Sequence, residues 1–294
     1  MQLFLGPVAL FVTQTDNISF KLLPSKHFIK PLIEPKIELV LKYCRYPGRT
    51  IPPLNKTGFI GETLDPKEMP YSWTTHSTPT GFCIETHFIS DPQLRYARTT
   101  INTQSRQISI ELAPAHQDQE ISIDPLIQPI GSLLLIYLAH LTNGFLIHAS
   151  GIQDLDKQGH IFTAVSGTGK STMAKLWKET GACVINDDRL WMHQIEDQWH
   201  MFSTPMVFYA QEPLMAPVNN IFLINQSPYN YLNSTAGLNT QMRVMSNCIQ
   251  HFYNKEMTNN HLMSVLDFTS KAKIYECGFM PNRKIIEEIR ELTR

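Results

Sequence analysis

Residues 163–172 read Thr-Ala-Val-Ser-Gly-Thr-Gly-Lys-Ser-Thr, and they constrain the fold of this 294-residue chain more than any other stretch. His160 to Val165 reads as a buried strand, and Thr172 to Lys178 has helical spacing. A strand, a glycine turn and a helix in succession mark an α/β arrangement. In the turn, Gly167 and Gly169 let consecutive main-chain N–H groups curl around an anion, and the helix dipole points at the same place. Lys170 adds a point charge for β/γ-phosphates, and the Ser171 hydroxyl is placed to ligate Mg²⁺. The expected phosphate-binding set is Ser166, Gly167, Thr168, Gly169, Lys170, Ser171 and Thr172. Ala164 stands where the strict pattern has glycine, which fits if the strand runs one residue further. A plain Gly/Ser turn without a ligand is the other possibility, but it gives Lys-Ser at the helix start no task.

Composition narrows the classes. Hydrophobic residues make up 43%, enough for a sizeable core, and the net charge of −1 gives no bulk electrostatic case for nucleic acid or an anionic membrane. Five cysteines at 44, 83, 183, 248 and 277 form no close pair. That argues against a disulfide framework or a zinc site and fits a reducing cytoplasm. The first residues lack a basic segment, so no signal peptide is expected. The apolar run Ile130 to Leu141 is too short to span a bilayer and reads as a buried helix.

Two regions are expected, 1–125 and 126–294. The first alternates with a period of two, as in 36–41, 81–86 and 107–112, which predicts antiparallel strands separated by loops rich in proline (47, 52, 53, 65, 70 and 79). The second begins with a helix over 125–142. A strand over 145–152, a turn at 154–159, the glycine loop and its helix follow, and Gly181 ends that helix. Strands are expected over 182–186, 190–195, 199–203, 221–224 and 273–277, and helices over 234–254, 259–270 and 281–293. The N-terminal region is expected to recognise substrate or to serve as a structural β-domain.

The strand after the loop helix ends in Asn186-Asp187-Asp188-Arg189. A carboxylate at a neighbouring strand end completes a Mg²⁺ shell in phosphate-loop proteins. Adjacent aspartates at a strand end point to opposite sides, so one can face a metal and the other an acceptor hydroxyl. An Asp-Asp that merely caps a turn is the alternative. His148, in Leu146-Ile147-His148-Ala149-Ser150-Gly151, lies on the strand next to the loop, and a proton-sharing contact with Asp187 is expected. Thr204-Pro205 marks a rigid turn.

Together these residues resemble the C-terminal domain of HPr kinase/phosphorylase and the related HPr-kinase-like serine kinases. The order is a strand with His148, the loop Ser166 to Ser171, a helix ending at Gly181, and Asp187-Asp188-Arg189. Thr204-Pro205, Glu212-Pro213-Leu214, Ile221 to Ile224 and Ile274 to Arg290 look similar to the later part of such kinases, so the resemblance covers about 144–294. It implies a phosphoenolpyruvate-carboxykinase-like α/β domain, ATP and Mg²⁺ as cofactors, and transfer of the γ-phosphoryl group to a serine-type hydroxyl of a peptide, carrier protein or small molecule. A homo-oligomer is plausible on the same ground. By this resemblance Lys170 contacts phosphates, Ser171 and Asp188 hold the metal, Asp187 is the general base, and His148 is their neighbour. Residues 196–213 contain no Glu-x-Arg-Gly stretch, which counts against HPr as acceptor and against the reverse phosphorolysis. Glu196, Asp197 and Glu212 are weak candidates for a third acidic metal partner. A nucleotide-binding module without transfer activity and an ATPase using Arg189 or Arg243 as a finger are the rival functions.

Overall fold

The protein is described from a computed structural model covering residues 1–15, 17–46, 59–61, 70–206, 209–250 and 255–293. Prolines 47, 52, 53 and 65 and the end of the helix expected at 234–254 lie outside the described residues. The fold mixes α and β, with strands predominating, and the chain divides into two compact units. The first is chiefly Met1–Leu135, with Pro205–Ala210 and Phe252–Lys255; the second comprises Ile136–Thr204, Gln211–His251 and Glu256–Arg294.

The first unit contains β1 (Gln2–Leu5), β2 (Val8–Gln14), β3 (Ile18–Phe20), β4 (Ile37–Arg45), β5 (Phe59–Gly61), β6 (Tyr71–Thr78), β7 (Gly81–Phe88), β8 (Leu94–Asn102), β9 (Gln107–Pro114) and β10 (Ile121–Ile123). Eight of them form one sheet in the order β1-β2-β4-β9-β8-β7-β6-β5, and β10 pairs with β3. Alternation sets which side chains face inward: Leu39, Leu41 and Tyr43 of β4 are buried while Glu38, Val40 and Lys42 are exposed. The expectation of antiparallel pairing holds from β9 to β5 but fails for β2, β4 and β9, which run parallel. A period of two assigns faces, not direction; parallel pairing here follows from the long excursions between those strands.

The second unit contains the second half of α1 (Ile130–Leu141), then β11 (Phe145–Gln153), β12 (Gly159–Thr163), α2 (Lys170–Glu179), β13 (Cys183–Asn186), β14 (Arg189–Ile195), β15 (Gln198–Ser203), β16 (Met215–Pro217), β17 (Asn220–Gln226), β18 (Tyr231–Ser234), α3 (Leu238–Met245), β19 (Cys248–Ile249), α4 (Lys255–Lys271), β20 (Lys273–Phe279) and α5 (Lys284–Thr293). The sheet runs β16-β15-β14-β11-β12-β17-β20-β18, with β13 and β19 also on β11. β12, β17 and β20 are parallel. One face buries Ile147, Ala149, Ile161 and Leu223 with Val244 of α3 and Val265 and Phe268 of α4. The other buries Ile152, Phe162 and Phe222 with Met173 and Trp177 of α2 and Ile285, Ile286 and Ile289 of α5. Each large side chain so buried contributes about 1.5–3 kcal/mol.

Three expected helices are shorter than predicted. α1 starts at Ile130, because Asp124 accepts from the N–H groups of Leu126, Leu23 and Ser25 and so holds residues 124–126 in a turn. The stretch expected as a helix over 234–254 begins on an extended strand, and its described residues contain only α3 as a helix, followed by β19. Gly237 (φ 91°, ψ 177°) breaks it before Leu238, and the side chains of Ser246 and Asn247 bond back to the Arg243 carbonyl at its end. α5 starts at Lys284 rather than at Pro281, with the Asn282 side chain accepting from the Lys284 N–H. Among the described residues no helix is long and apolar enough to cross a membrane.

Candidate functional site

β12 ends at Thr163 and α2 begins at Lys170, so residues 164–169 form the connecting loop. Ala164 is absent from the positive-φ positions, and its carbonyl serves the loop. The Lys170 ammonium donates to it at 2.9 Å and to the Val165 carbonyl at 3.1 Å, curling the loop around the lysine stem. The Thr168 hydroxyl donates to the Val165 carbonyl at 2.9 Å. Gly169 caps α2 at φ 113° without a side-chain cap bond, so the first amides of the helix remain directed at the cleft. A Cβ on Gly169 would lie 2.9 Å from the Phe279 ring, so both backbone and space demand glycine there. Ser166, Gly167, Ser171 and Thr172 are exposed, while Lys170 is buried along its stem.

β11 carries the other wall. Ile147 and Ala149 point into the core, so His148 and Ser150 share the opposite face, the face covered by α2. β13 pairs with β11 at Gly151–Gln153, and β14 pairs with it at Phe145–His148. Asp187 and Asp188 form the break between those two strands and therefore sit beside residues 148–151 of β11. The Asp188 carbonyl accepts from the Ala149 N–H at 3.1 Å. Asn186, fully buried, holds the bend: its side-chain oxygen accepts from the Asp188 N–H at 3.1 Å and its amide donates to the Thr204 carbonyl at 3.1 Å. Thr204 is itself buried and donates to the Arg189 carbonyl.

The two carboxylates face different partners. The Ser150 hydroxyl donates to Asp187 Oδ1 at 2.6 Å. His148 Nδ1 lies 3.4 Å from Asp188 Oδ1, so the expected histidine contact is with Asp188 and not with Asp187. His148 and Ser150 stand two residues apart on one face of β11, so each carboxylate meets a different one of them along the strand. Burial lowers the His148 pKa, and the Lys170 ammonium lowers it further, outweighing the pull of Asp188; the imidazole is neutral at pH 7. Burial also lowers the Lys170 pKa, offset by Asp188 and then Asp187.

His148, Ser166, Gly167, Gly169, Lys170, Ser171, Thr172, Asp187 and Asp188 line a single cleft of about 370 Å³. Of the expected set His148, Ser166 to Thr172, Asp187 and Asp188, all but Thr168 are on its wall; Thr168 borders the adjoining groove instead. Glu196 and Asp197 occupy the exposed tip between β14 and β15, and Glu212 is also exposed; none of the three lines the cleft. Arg243 is paired with Glu276. Ser150 was not among the expected site residues. Its signal was the His-x-Ser spacing on one strand, which places it on the histidine's face, but the contact with Asp187 comes from pairing of β11 with two later strands.

No family model matches this chain, and no curated protein matches it. Among solved structures it has a distant neighbour, the HPr(Ser) kinase/phosphatase from Coxiella burnetii, at 11% identity and a TM-score of 0.30 over 50% of this chain and 97% of that one. At that degree of likeness the chemistry has to come from the cleft itself.

Proposed function

We propose that the chain is a phosphotransferase that moves the γ-phosphoryl group of ATP to a serine-type hydroxyl on a peptide, carrier protein or small molecule, and that its second unit is an HPr-kinase-like phosphate-loop domain. The observation that carries this is the meeting, in one cleft, of a left-handed glycine loop, the Lys170 ammonium and two separately held carboxylates. The loop amides and Lys170 would hold the phosphates. Asp187, fixed by Ser150, would orient the acceptor hydroxyl and take its proton, since an unactivated alcohol is a poor nucleophile at neutral pH. A pure nucleotide binder would need no such second carboxylate.

The donor set also fits Mg²⁺. Ser171 and Asp188 offer two hard oxygens beside the loop, and this ion ordinarily takes one or two protein carboxylates together with substrate phosphates. When bound it would offset charge on the transferring group. His148, neutral beside Asp188, would keep that carboxylate in place without adding a positive charge.

The test is incubation with γ-labelled ATP, Mg²⁺, free serine and serine-bearing peptides. Label on a hydroxyl product supports the proposal; label released only as free phosphate identifies an ATPase instead. Lys170→Ala and Asp187→Asn are each expected to lower kcat by about a hundredfold, with the circular dichroism of the wild type retained. Wild-type turnover in either variant contradicts the role given to that residue.

A further inference from the structure

A long loop in the first unit carries a charge that the rest of the chain does not. Residues 21–36 join β3 to β4 without helix or strand. Connections longer than roughly 12–15 residues with no regular structure are uncommon in compact units and usually bind something or act as linkers. This one is no slack linker. The buried Asp124 carboxylate accepts from the Leu23 and Ser25 N–H groups at 2.7 and 3.2 Å, and from the Ser25 hydroxyl at 2.8 Å. Further on, the Phe28 ring is buried and its carbonyl accepts from the Phe4 N–H of β1 at 2.8 Å. The Lys36 N–H donates to the Pro7 carbonyl at 2.8 Å. The loop is thus fixed at its start, middle and end.

With Ser25 and Phe28 turned inward, the outward positions share one character. Leu23, Ile29 and Leu32 are 59%, 51% and 40% exposed, and Lys21, Lys26, Lys30 and Lys36 are exposed among them. Glu34 is the one acid of the stretch, so the loop carries +3 (four lysines against one glutamate) in a chain whose total is −1. The remaining residues therefore carry −4. That imbalance selects the partner. Aliphatic side chains held outward gain by being covered, and lysines among them attract carboxylates. An anionic bilayer, being wide, would also meet the negative remainder, whereas a short acidic segment meets the loop alone. Nucleic acid binds through charge and aromatic stacking, which leaves the aliphatics without a task.

Resting on the phosphotransferase reading for its role, we propose that loop 21–36 docks an acidic, aliphatic-bearing segment of the acceptor, so that the acceptor is a polypeptide and not a free small molecule. The segment's aliphatic side chains cover Leu23, Ile29 and Leu32, and its carboxylates meet the lysines.

Fluorescence anisotropy of the full chain, without ATP, against a labelled peptide that alternates glutamate with leucine and serine tests the docking. Wild-type protein should bind it, less tightly as salt rises, and should bind the glutamine-for-glutamate peptide about tenfold more weakly. Lys26→Glu with Lys30→Glu should weaken the acidic peptide about tenfold or more, and Ile29→Ser with Leu32→Ser by a similar factor. All four positions are exposed, so the melting temperature should stay near wild type. With γ-labelled ATP and Mg²⁺ added, the charge reversal should raise KM for the peptide and leave kcat unchanged. No binding by wild-type protein, equal binding by the charge-reversed variant, or capture of phosphatidylserine vesicles in place of the peptide overturns the docking surface. Label on free serine but not on the bound peptide overturns the acceptor role and leaves phosphoryl transfer standing. Peptide bound through the loop with no hydroxyl labelled at all overturns the phosphotransferase reading and the acceptor role, and leaves the docking surface standing.

Discussion

The cleft depends on a few side chains whose orientations are set by their immediate neighbours. Ser150 is fully buried and donates to Asp187 at 2.6 Å, which limits the carboxylate to one orientation. Removing a hydrogen bond to a charged group costs about 1.5–3 kcal/mol, so Ser150→Ala should lower kcat roughly tenfold or more. On the role proposed for Asp187, Ser150 acts through that carboxylate and not on the donor, so KM for ATP should stay near wild type, and Ser150→Thr should recover much of the rate. A rise in KM with kcat unchanged would show that Ser150 does not position the base. Gly169 makes a different demand. At φ 113°, with the Phe279 ring 2.9 Å from any added Cβ, Gly169→Ala should cost about 1–3 kcal/mol. It should lower the melting temperature by several degrees in a thermal scan, whereas Gly167→Ala, with open space around it, should cost less.

At the scale of elements, the strand–loop–helix was legible because every residue that makes it is local: the strand, the glycines and the lysine follow one another without a gap. The end of α2 read equally well, since Gly181 donates to the Lys178 carbonyl and Ala182 to that of Trp177, a pairing set by one glycine. The Asp187-Asp188 pair was legible as a strand end, but not as a break between two strands sharing β11, which is a non-local fact. The same holds for His148, whose partner is decided by which aspartate the bend at Asn186 turns toward it. β18 and β19 were hidden because two to four residues leave too little periodicity to read. α5 is fastened by another non-local contact. Arg290 makes two hydrogen bonds to the buried Asp154 and lies over the Trp177 ring at 5.3 Å. Breaking such a pair strands a carboxylate in the interior, so Arg290→Ala should destabilise the protein by roughly 3 kcal/mol in urea titration. Arg290→Lys should recover only part of that, lacking the two-pronged geometry. A loss below about 0.5 kcal/mol would mean that the pair contributes as a surface bridge does.

For the whole molecule, pH is the lever that several buried histidines share. His160, between Trp177 and Phe222, has its pKa lowered by burial to about 4, and burial lowers His261 and His140 likewise to about 4. A histidine whose folded pKa lies below its unfolded value of 6.5 binds fewer protons when folded. Its stabilising effect is complete above about 6.5 and is lost as the pH falls from there toward 4. Stability should therefore decline on acidification through that window, by up to about 1.4 kcal/mol per pH unit for each histidine, less for the partly exposed His140. Urea midpoints measured across the window check this, and His160→Gln should flatten the slope. A midpoint independent of pH from 6.5 to 4 would contradict the burial of these rings.

The central claim is that the loop at 164–171 and the aspartate pair act on one nucleotide. A crystal structure with ADP and Mg²⁺ tests it most directly. The β-phosphate is expected against the loop amides and Lys170, the cation between Ser171 and Asp188, and the Asp187 carboxylate open toward the incoming hydroxyl. Nucleotide bound elsewhere, or a cation held away from both Ser171 and Asp188, would contradict it.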